Sequence, residues 1–473
     1  MKLKLPKPFW PAVLLSLLST GFLNSAILAS DSYHSRQYHS LRYLEDYFFL
    51  SDPKLRQDFF DPIKFIRFSS SGDIHLSIGG ETRQHYEFID DENWGATIPD
   101  NDGWYLQRYL LHADLKIGKQ VRFFSQLMST LENGRAGGPR GVDKDTLDLH
   151  QAFTDVSFTT EGGNTFLFRV GRQEMVYGSR RFVNYRERPN TRLSFDGLRM
   201  TINNEKWNVS AFATRPVEVD QGIFDDGGID GQAFWGLYGV RTMSLAIPDK
   251  VDLYYLGIYR EQVIFDQGAG DEVRHAFGTR LWGQRMGFDY NFEAMFQIGT
   301  FGSSNIFAYA LASDTGYNFH WLGRKWRLGL RADIYSGDDD SYDSELNSFN
   351  PFFPKGKHIS QLAASGLINQ RDLQPRLNVN LLNNVFMTVS SAFIWRDSLY
   401  DGIYSIGNSL LRSGKTSRAR YVGHQPELEI KWQVDRHLAL KGIFNYFFAG
   451  PFIEETGPGN DIKYLGAMAT YIF

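Results

Sequence analysis

From residue 74 onward, apolar and polar residues alternate in segments of about ten to fifteen residues, and each segment ends in a polar break. The segment MGFDYNFEAMFQIGTF shows the pattern most clearly: Phe288, Phe292 and Phe296 share one parity, whereas Asp289 and Glu293 share the other. A period of two is typical of a β-strand whose two faces meet different environments. Because the uncharged face is the aromatic one, we expect the charged face to contact water.

Eighteen such segments follow one another along the chain. They begin near residues 74, 103, 120, 147, 164, 194, 206, 233, 250, 274, 287, 304, 325, 374, 385, 421, 437 and 461. Short breaks alternate with longer ones, which span 90–102, 134–146, 175–193, 216–232, 262–273, 300–303, 337–373, 398–420 and 450–460. An even number of strands joined alternately by tight turns and long loops predicts an all-β fold, an 18-stranded antiparallel transmembrane β-barrel of the outer membrane. A soluble sandwich, the alternative, has no reason to keep its tight turns at one edge.

The rest of the chain suggests an exported protein. Residues 1–29 are predicted to be a signal peptide, with lysines before an apolar core and a cleavage point after Ala29; the alternative is an uncleaved anchor helix. Residues 30–73 do not alternate and are predicted to form a periplasmic N-terminal segment that tucks into or under the barrel. Residues 74–473 are predicted to form the barrel, whose last strand carries an apolar stripe from Leu465 to Phe473.

Composition excludes several other classes of protein. Cysteine is absent, so disulfides, thiolate metal sites and cysteine nucleophiles are excluded. The mean hydropathy of -0.34 argues against a helical membrane protein. The recognised catalytic and nucleotide-binding motifs are missing, so we predict no enzyme, catalytic residue, cofactor or metal site. The acidic stretch SGDDDSYD (336–343) is expected to hydrate a loop or to bind divalent ions among lipopolysaccharide phosphates.

The parity of each strand also predicts which side chains line the lumen. An 18-stranded barrel is wide enough for an aqueous channel. The predicted pore-lining residues are Arg83, Arg108, Arg169, Arg274, Arg280, Glu293, Arg327, Arg331, Asp333 and Tyr335. Arg172 has the opposite parity and is placed near the outer rim, where a bulge or a lipid headgroup would tolerate it. A glycine two residues from several lumen arginines, as in RLGLR, is expected to leave a bare patch for a guanidinium or a sugar ring.

Arginine presents a permanently charged planar fork that matches carboxylates, which suits a filter for polyanions. The alternative is that these arginines pair with wall carboxylates and stiffen the barrel. The third long break adds five further arginines, and we expect it to fold inward and narrow the lumen. The members of this predicted loop constriction are Arg180, Arg181, Arg186, Arg188 and Arg192. Otherwise this loop would cap the rim and contact lipopolysaccharide phosphates.

Several stretches resemble the alginate export family of outer-membrane barrels: RVGRQEMVYGSRRFV with SFDG, YSGDDDSYDSELNSFNPFFPKG, VGHQPELEIKWQVDRHLALKGIFNYFFAGPF and the lead-in from residue 42. The resemblance implies a secretion channel for an anionic uronic-acid polymer. It extends the pore role to Arg83, Arg169, Arg172, Arg280 and Arg331. The chain departs from the family at GHQPELE, where Pro426 weakens any role for Glu427 and Glu429.

The function expected from the resemblance is the passive export of an alginate-like polysaccharide; a porin for small anionic solutes is the alternative. The expected partners are the anionic polysaccharide, outer-membrane lipids and lipopolysaccharide, the barrel assembly machinery and a periplasmic polysaccharide-secretion complex. A nucleic acid is not expected, because the arginines are assigned to the lumen. The protein is expected to be a monomer.

Overall fold

The computed structural model describes residues 37–243, 248–340 and 342–473, so the predicted signal peptide lies outside the described residues. Eighteen long strands form the wall, which we number in chain order. They are β1 Ile74–Asp90, β2 Trp104–Ile117, β3 Val121–Asn133, β4 Asp145–Thr159, β5 Thr165–Gln173, β6 Phe195–Asn203, β7 Trp207–Pro216, β8 Gln232–Thr242, β9 Lys250–Phe265, β10 Gly268–Arg285, β11 Phe288–Phe301, β12 Ser304–Trp321, β13 Arg324–Tyr335, β14 Gln370–Leu382, β15 Val385–Trp395, β16 Tyr421–Gln433, β17 Leu438–Ala449 and β18 Ile462–Ile472.

The strands close into a ring. Each pairs antiparallel with the next, and β1 also pairs with β18 in a register that runs from Glu81 opposite Ile472 to Asp90 opposite Lys463. The closed antiparallel barrel of eighteen strands predicted from the sequence is therefore confirmed. Closure leaves no edge strand among the eighteen strands of the ring, which is the condition for crossing a bilayer with strands.

The connections alternate between a turn end and a loop end of the barrel. We number the loop-end connections 1 to 9: 91–103, 134–144, 174–194, 217–231, 266–267, 302–303, 336–369, 396–420 and 450–461. The predicted long fifth break, 262–273, was wrong, because β9 and β10 extend and leave only residues 266–267 between them. The added part of β10, GAGDEV, has no apolar face of its own, so it carries no period-two signal.

Short elements complete the fold. They are the 3-10 helices Arg42–Leu44, Phe48–Ser51 and Pro53–Leu55, the helices Asp61–Lys64, Glu92–Gly95 and Pro451–Thr456, and the short strands Ile66–Arg67, Glu345–Leu346, Ile403–Tyr404 and Leu410–Arg412. Within the described ranges, no helix is long and apolar enough to cross a membrane.

The two faces of the wall differ as the alternation requires. Phe292 is 47% exposed on the outside, whereas its neighbour Glu293 is 5% exposed on the inside. Two concavities of about 560 and 710 Å³ lie against the wall at β8 to β15, and most of their lining is apolar. Leu253 and Phe277 in the larger one belong to the outer face, so this concavity faces lipid and not the lumen.

Residues 37–73 enter the barrel at the turn end. The short strand Ile66–Arg67 pairs with the start of β1. The Arg42 guanidinium donates to the carbonyl of Gly80 at 3.0 Å and to that of Phe473 at 2.9 Å. The Tyr43 hydroxyl reaches farther and donates to the carbonyl of Glu174 at 3.0 Å. The N-terminal segment therefore lies partly inside the barrel and joins its first and last strands.

Lys64 anchors the same segment in an unusual way. Its ammonium is buried, has no hydrogen-bond partner within the described ranges, and lies 5.1 to 5.9 Å from the ring centroids of Tyr38, Tyr47 and Phe473. A β-carbon at Gly79 would collide with this ammonium and with the His112 ring, so the absence of a side chain at Gly79 gives both of them room. Burial lowers the pKa of Lys64 to about 7, and the positive charge of Arg42 contributes to this shift.

Candidate pore and its charged lining

Loop 3 (174–194) lies inside the barrel. The strands that carry it, β5 and β6, have only nine residues each, so the loop begins well below the height reached by neighbouring β4, which has fifteen. Tyr177 stacks on Phe212 and Tyr238 of the wall, at centroid distances of 5.2 and 5.0 Å. Short strands and an aromatic anchor thus direct the loop inward.

Loop 7 (336–369) folds inward beside it. Its Phe353 amide donates to the carbonyl of Phe182 at 3.0 Å, and its Lys355 amide donates to the carbonyl of Arg180 at 3.1 Å. Phe182 also packs on Phe349, at a centroid distance of 5.6 Å. Loops 3 and 7 therefore form one internal layer held by backbone hydrogen bonds and aromatic contacts.

Buried ion pairs fix loop 3 to the wall on one side. Arg108 of β2 pairs with Glu187 of the loop and, at 2.7 Å, with Glu81 of β1. Arg83 of β1 donates to the carbonyls of Glu187 and Pro189 at 2.9 and 2.8 Å. These two predicted pore-lining arginines therefore contact the loop and not open solvent.

A second tether lies across the lumen. Arg181 pairs with Glu293 of β11, and its guanidinium is 3.9 Å from Asp333 of β13. Glu293 also accepts hydrogen bonds from Ser179 and Tyr254, both at 3.0 Å. Three polar groups thus satisfy the Glu293 carboxylate, and the ion pair with Arg181 fixes the loop to the wall at β11.

Two further loop arginines are also paired. Arg192 pairs with Glu174 at 2.7 Å within the loop, and Arg188 donates to the Gln361 carbonyl of loop 7 at 2.8 Å. Arg186 has no carboxylate within ion-pair distance among the described residues. Burial and the nearby Arg260 lower the pKa of Arg186 to about 10.

At the turn end, Arg169 meets the N-terminal segment. It forms two hydrogen bonds of 2.6 and 2.8 Å with Asp155, its direct cross-strand neighbour on β4. Its guanidinium lies 3.5 Å from the ring centroid of Phe153 and 4.2 Å from that of Tyr43. Arg169 is therefore held by a carboxylate and two rings.

Most of the other wall arginines are paired as well. Arg274 contacts Glu272 at 2.7 Å, and Arg280 contacts Asp252 at 2.9 Å. Arg327 pairs with Asp289, and a β-carbon at Gly316 or Gly329 would collide with its guanidinium, which therefore lies over a bare patch. Farther along the same strand, Tyr335 donates to Asp333 at 3.0 Å. Pairing within the wall is the alternative that the sequence left open, and it applies to these residues.

Five cations gather where loops 3 and 7 meet β13 and β14, and we call them the cationic cluster: Arg180, Arg331, Lys355, Lys357 and Arg376. Neither Arg180 nor Lys355 has a carboxylate within ion-pair distance in the described part of the chain. Arg331 and Arg376 share Asp314, at 3.0 and 3.9 Å, with Arg327. Positive charge therefore exceeds negative charge at this point of the lumen.

The titration of Lys355 reflects that excess. Burial, followed by the positive charges of Arg331 and Arg180, lowers its pKa to about 7. The neighbouring His358 adds no charge, because burial and Arg331 lower its pKa to about 3, and it contacts Asp333 at 2.8 Å. A ligand carboxylate would relieve the repulsion that lowers the pKa of Lys355.

Arg172 lies away from the pore-facing side of the wall. Its side chain makes hydrogen bonds of 2.8 and 3.1 Å with Asp196, its cross-strand neighbour on β6, and reaches the carbonyls of Leu149 and Asp226. Arg172 therefore lies near the loop end of β5, on the face of the strand opposite to the lumen, as its parity predicts.

Sequence reasoning missed Lys355, Lys357 and Arg376 as lumen residues. Arg376 has the parity of buried Asp372 and Gln374, so the alternation could have identified it. The two lysines lie in loop 7, where no periodicity exists. Lys357 pairs with Glu429 and lies 3.6 Å from Glu427. These two glutamates, which the sequence analysis discounted, belong to the lumen wall next to the cluster.

A closed antiparallel barrel with an apolar outer band and a charged interior defines the class of outer-membrane channels. Residues 74–467 match the "Alginate export" family, and the chain belongs to that family. The protein is accordingly an outer-membrane protein. No curated relative matches the sequence significantly.

Solved porins share the fold at low sequence identity. Pseudomonas aeruginosa OccD3 (OpdP) has a TM-score of 0.55 at 11% identity, with 89% of this chain and 96% of that one covered. A BenF-like porin from Pseudomonas fluorescens Pf-5 has a TM-score of 0.56 at 9% identity, covering 84% and 98%. P. aeruginosa OccK2 (OpdF), solved in complex with glucuronate, has a TM-score of 0.54 at 10% identity, with the same coverage.

Proposed function

We propose that this channel exports an anionic, uronic-acid polysaccharide resembling alginate, by passive diffusion through its cationic lumen. The observation that carries the proposal is the cationic cluster, in which Arg180 and Lys355 have no carboxylate within ion-pair distance in the part of the chain that the structure describes. A carboxylate on every sugar of a passing chain would replace the counter-charge that the wall does not supply. Guanidinium groups suit this role because they bind carboxylates through two parallel hydrogen bonds.

The paired arginines support transport in a different way. A lumen with only positive charge would hold a polyanion too tightly, whereas conduction requires sites that release what they bind. The ion pairs of Arg169, Arg280 and Arg327 keep most of the wall close to neutral. Binding would then be concentrated at the meeting point of loops 3 and 7.

The proposal requires the internal layer to move. Loops 3 and 7 and the N-terminal segment occupy the lumen, so a polymer can pass only when at least part of this layer shifts. The backbone hydrogen bonds that join Phe353 to Phe182 and Lys355 to Arg180 make the two loops one unit. Opening would therefore displace both together.

The test removes charge from the cluster. In planar bilayers, Lys355→Ala with Arg376→Ala should weaken block by oligouronate at least tenfold and move the reversal potential in a salt gradient towards cation preference. Two charges that each contribute on the order of 1 kcal/mol through a partly screened medium give an effect of this size. The matched control is Arg371→Ala, because Arg371 faces outward at the rim and pairs with Asp397. Unchanged block in the double variant would contradict the proposal.

A porin for small anionic solutes is the second candidate, and the filled lumen favours it. Loops 3 and 7 narrow the barrel in the way that a solute-sized filter requires. Glucuronate, present in the solved OccK2 complex, is a suitable small probe of this candidate. If glucuronate permeates and long oligouronates neither block the channel nor pass through it, the hypothesis of a small-solute porin replaces that of a polymer exporter.

The remaining partners follow from the same proposal. Lipids and lipopolysaccharide would surround the apolar band, the assembly machinery would insert the barrel, and a periplasmic secretion complex would deliver the polymer to the turn end. One chain closes the whole barrel, which fits a monomer.

A further inference from the structure

The wall is incomplete at the loop end of β4. The pairing of β4 with β5 stops at Ala152 opposite Arg172, so the first residues of β4 have no partner from β5. Loop 4 (217–231) fills this position. Leu147 accepts from the Phe224 amide at 2.9 Å and donates to the carbonyl of Gly222 at 3.4 Å. Loop 4 thus replaces the missing strand above the short β5–β6 pair.

Three carboxylates meet at this junction. Asp145 and Asp148 come from β4 and Asp226 comes from loop 4, and one oxygen of each lies within 4.8 Å of the other two. Asp145 is fully buried, yet neither of its carboxylate oxygens has a hydrogen-bond partner among the described residues. A buried carboxylate without a partner is costly unless a cation or a proton compensates it.

The nearby arginine compensates only part of this charge. Arg172 lies 3.6 Å from Asp148, but its bidentate partner is Asp196, outside the cluster. Asp148 also accepts hydrogen bonds from the amides of Leu149 and Asp226. Asp145 receives none of these contacts, so its oxygens are the ones available to a further cation.

We propose that Asp145, Asp148 and Asp226 form a calcium site that fastens loop 4 to β4 and completes the barrel wall. The donor set consists of carboxylate oxygens, which hard divalent cations prefer. A site buried between a strand and a loop favours calcium over magnesium, because calcium accepts irregular geometry whereas magnesium retains its waters. The inference does not depend on what the channel carries.

Radioactive calcium binding to the full chain in detergent tests the proposal. Wild type should bind one more calcium ion than the variant Asp145→Asn with Asp226→Asn. Asp230→Asn is the control for loss of charge from loop 4: it removes one negative charge from that loop, and the Asp230 side chain is 99% exposed and lies outside the cluster. The control should bind as wild type does, and equal calcium binding by wild type and the double variant would overturn the proposal.

Chymotrypsin provides a second readout, since Phe224 in loop 4 is 60% exposed. With a dissociation constant of about 10⁻⁴ M, as in many extracellular sites, 1 mM calcium should slow cleavage at Phe224 about tenfold relative to chelator. The double variant should be cleaved at one rate under both conditions. Equal protection of wild type by magnesium would overturn the assignment to calcium, and cleavage unaffected by either ion would overturn the site.

Discussion

Arg181 holds loop 3 in the centre of the lumen, and Arg181→Met is the most direct way to release it. Both Arg181 and its partner Glu293 have side chains only 3% exposed. Removing one member of a buried pair leaves an uncompensated charge and costs about 3 to 5 kcal/mol. Part of this free energy destabilises the docked position of loop 3, because the carboxylates of Glu293 and Asp333 become solvated only when the loop moves away.

The expected effect is large enough to record in single channels. A loss of about 3 kcal/mol raises the undocked-to-docked ratio of loop 3 about 150-fold. Single-channel recordings of Arg181→Met in planar bilayers should therefore show a higher mean conductance and frequent transitions between two levels. Arg181→Met with Glu293→Gln should recover much of the wild-type behaviour, since both charges of the tether are then removed.

The matched control is Arg215→Met. Arg215 also pairs with an aspartate, but its side chain is 49% exposed and that of its partner Asp230 is 99% exposed. Exposed pairs contribute at most about 1 kcal/mol, so this variant should conduct as wild type does. Heat-modifiable migration on gels checks that every variant is folded. Wild-type conductance in a folded Arg181→Met channel would refute the reasoning, because the loop would then be held by other contacts alone.

Two further predictions concern the ends of the barrel. An epitope tag inserted at exposed Asp340 of loop 7 should bind antibody on intact cells, and labelling only after the outer membrane is opened would reverse the assignment of the two ends. Raising the pH from about 7 to 10 should tighten the docking of the N-terminal segment. The pKa of Lys64 is about 7 in the fold, against an ordinary value of 10.5, so burial destabilises the docked state as long as the ammonium is charged. This penalty falls as the pH rises towards 10.5, and the docked state becomes more stable. Trypsin cleavage at buried Arg42 should slow accordingly, and the pH dependence should disappear in Lys64→Met; cleavage that accelerates with pH in wild type relative to that variant would contradict the sign.

The alternation of side chains predicts the barrel well, because each wall residue has only two choices of face. Glu293 and Phe292 lie on the faces that their parity requires. Parity fails where both faces meet polar surroundings, as in the part of β10 before Arg274, because no lipid selects an apolar stripe there. Parity also gives no information about loop 7, so it could not identify Lys355 as a lumen residue.

Pairing between wall charges depends on register, which parity does not supply. Asp155 and Arg169 are directly paired on the adjacent strands β4 and β5. This pairing depends on the register of the hairpin, and a one-residue slip would remove it. The path of the N-terminal segment also cannot be predicted from parity, since its helices have only three or four residues and two of them carry a proline, Pro53 or Pro62, in the first turn. Its contacts with Gly80 and Phe473 depend on the closed ring, which exists only after both ends of the chain meet.

Paired and unpaired arginines have the same signature in sequence, yet they occupy different parts of the molecule. Those on strands, such as Arg169 and Arg280, face carboxylates on neighbouring strands and stiffen the wall. The two members of the cationic cluster that have no carboxylate within ion-pair distance among the described residues, Arg180 and Lys355, lie on loops 3 and 7. Arg180 immediately precedes the tether residue Arg181, so release of the tether would also carry Arg180 away from the cluster. On the proposed function, the same displacement of loop 3 would therefore widen the lumen and lower its affinity for a polyanion. A channel that binds a polymer and then releases it needs both effects together.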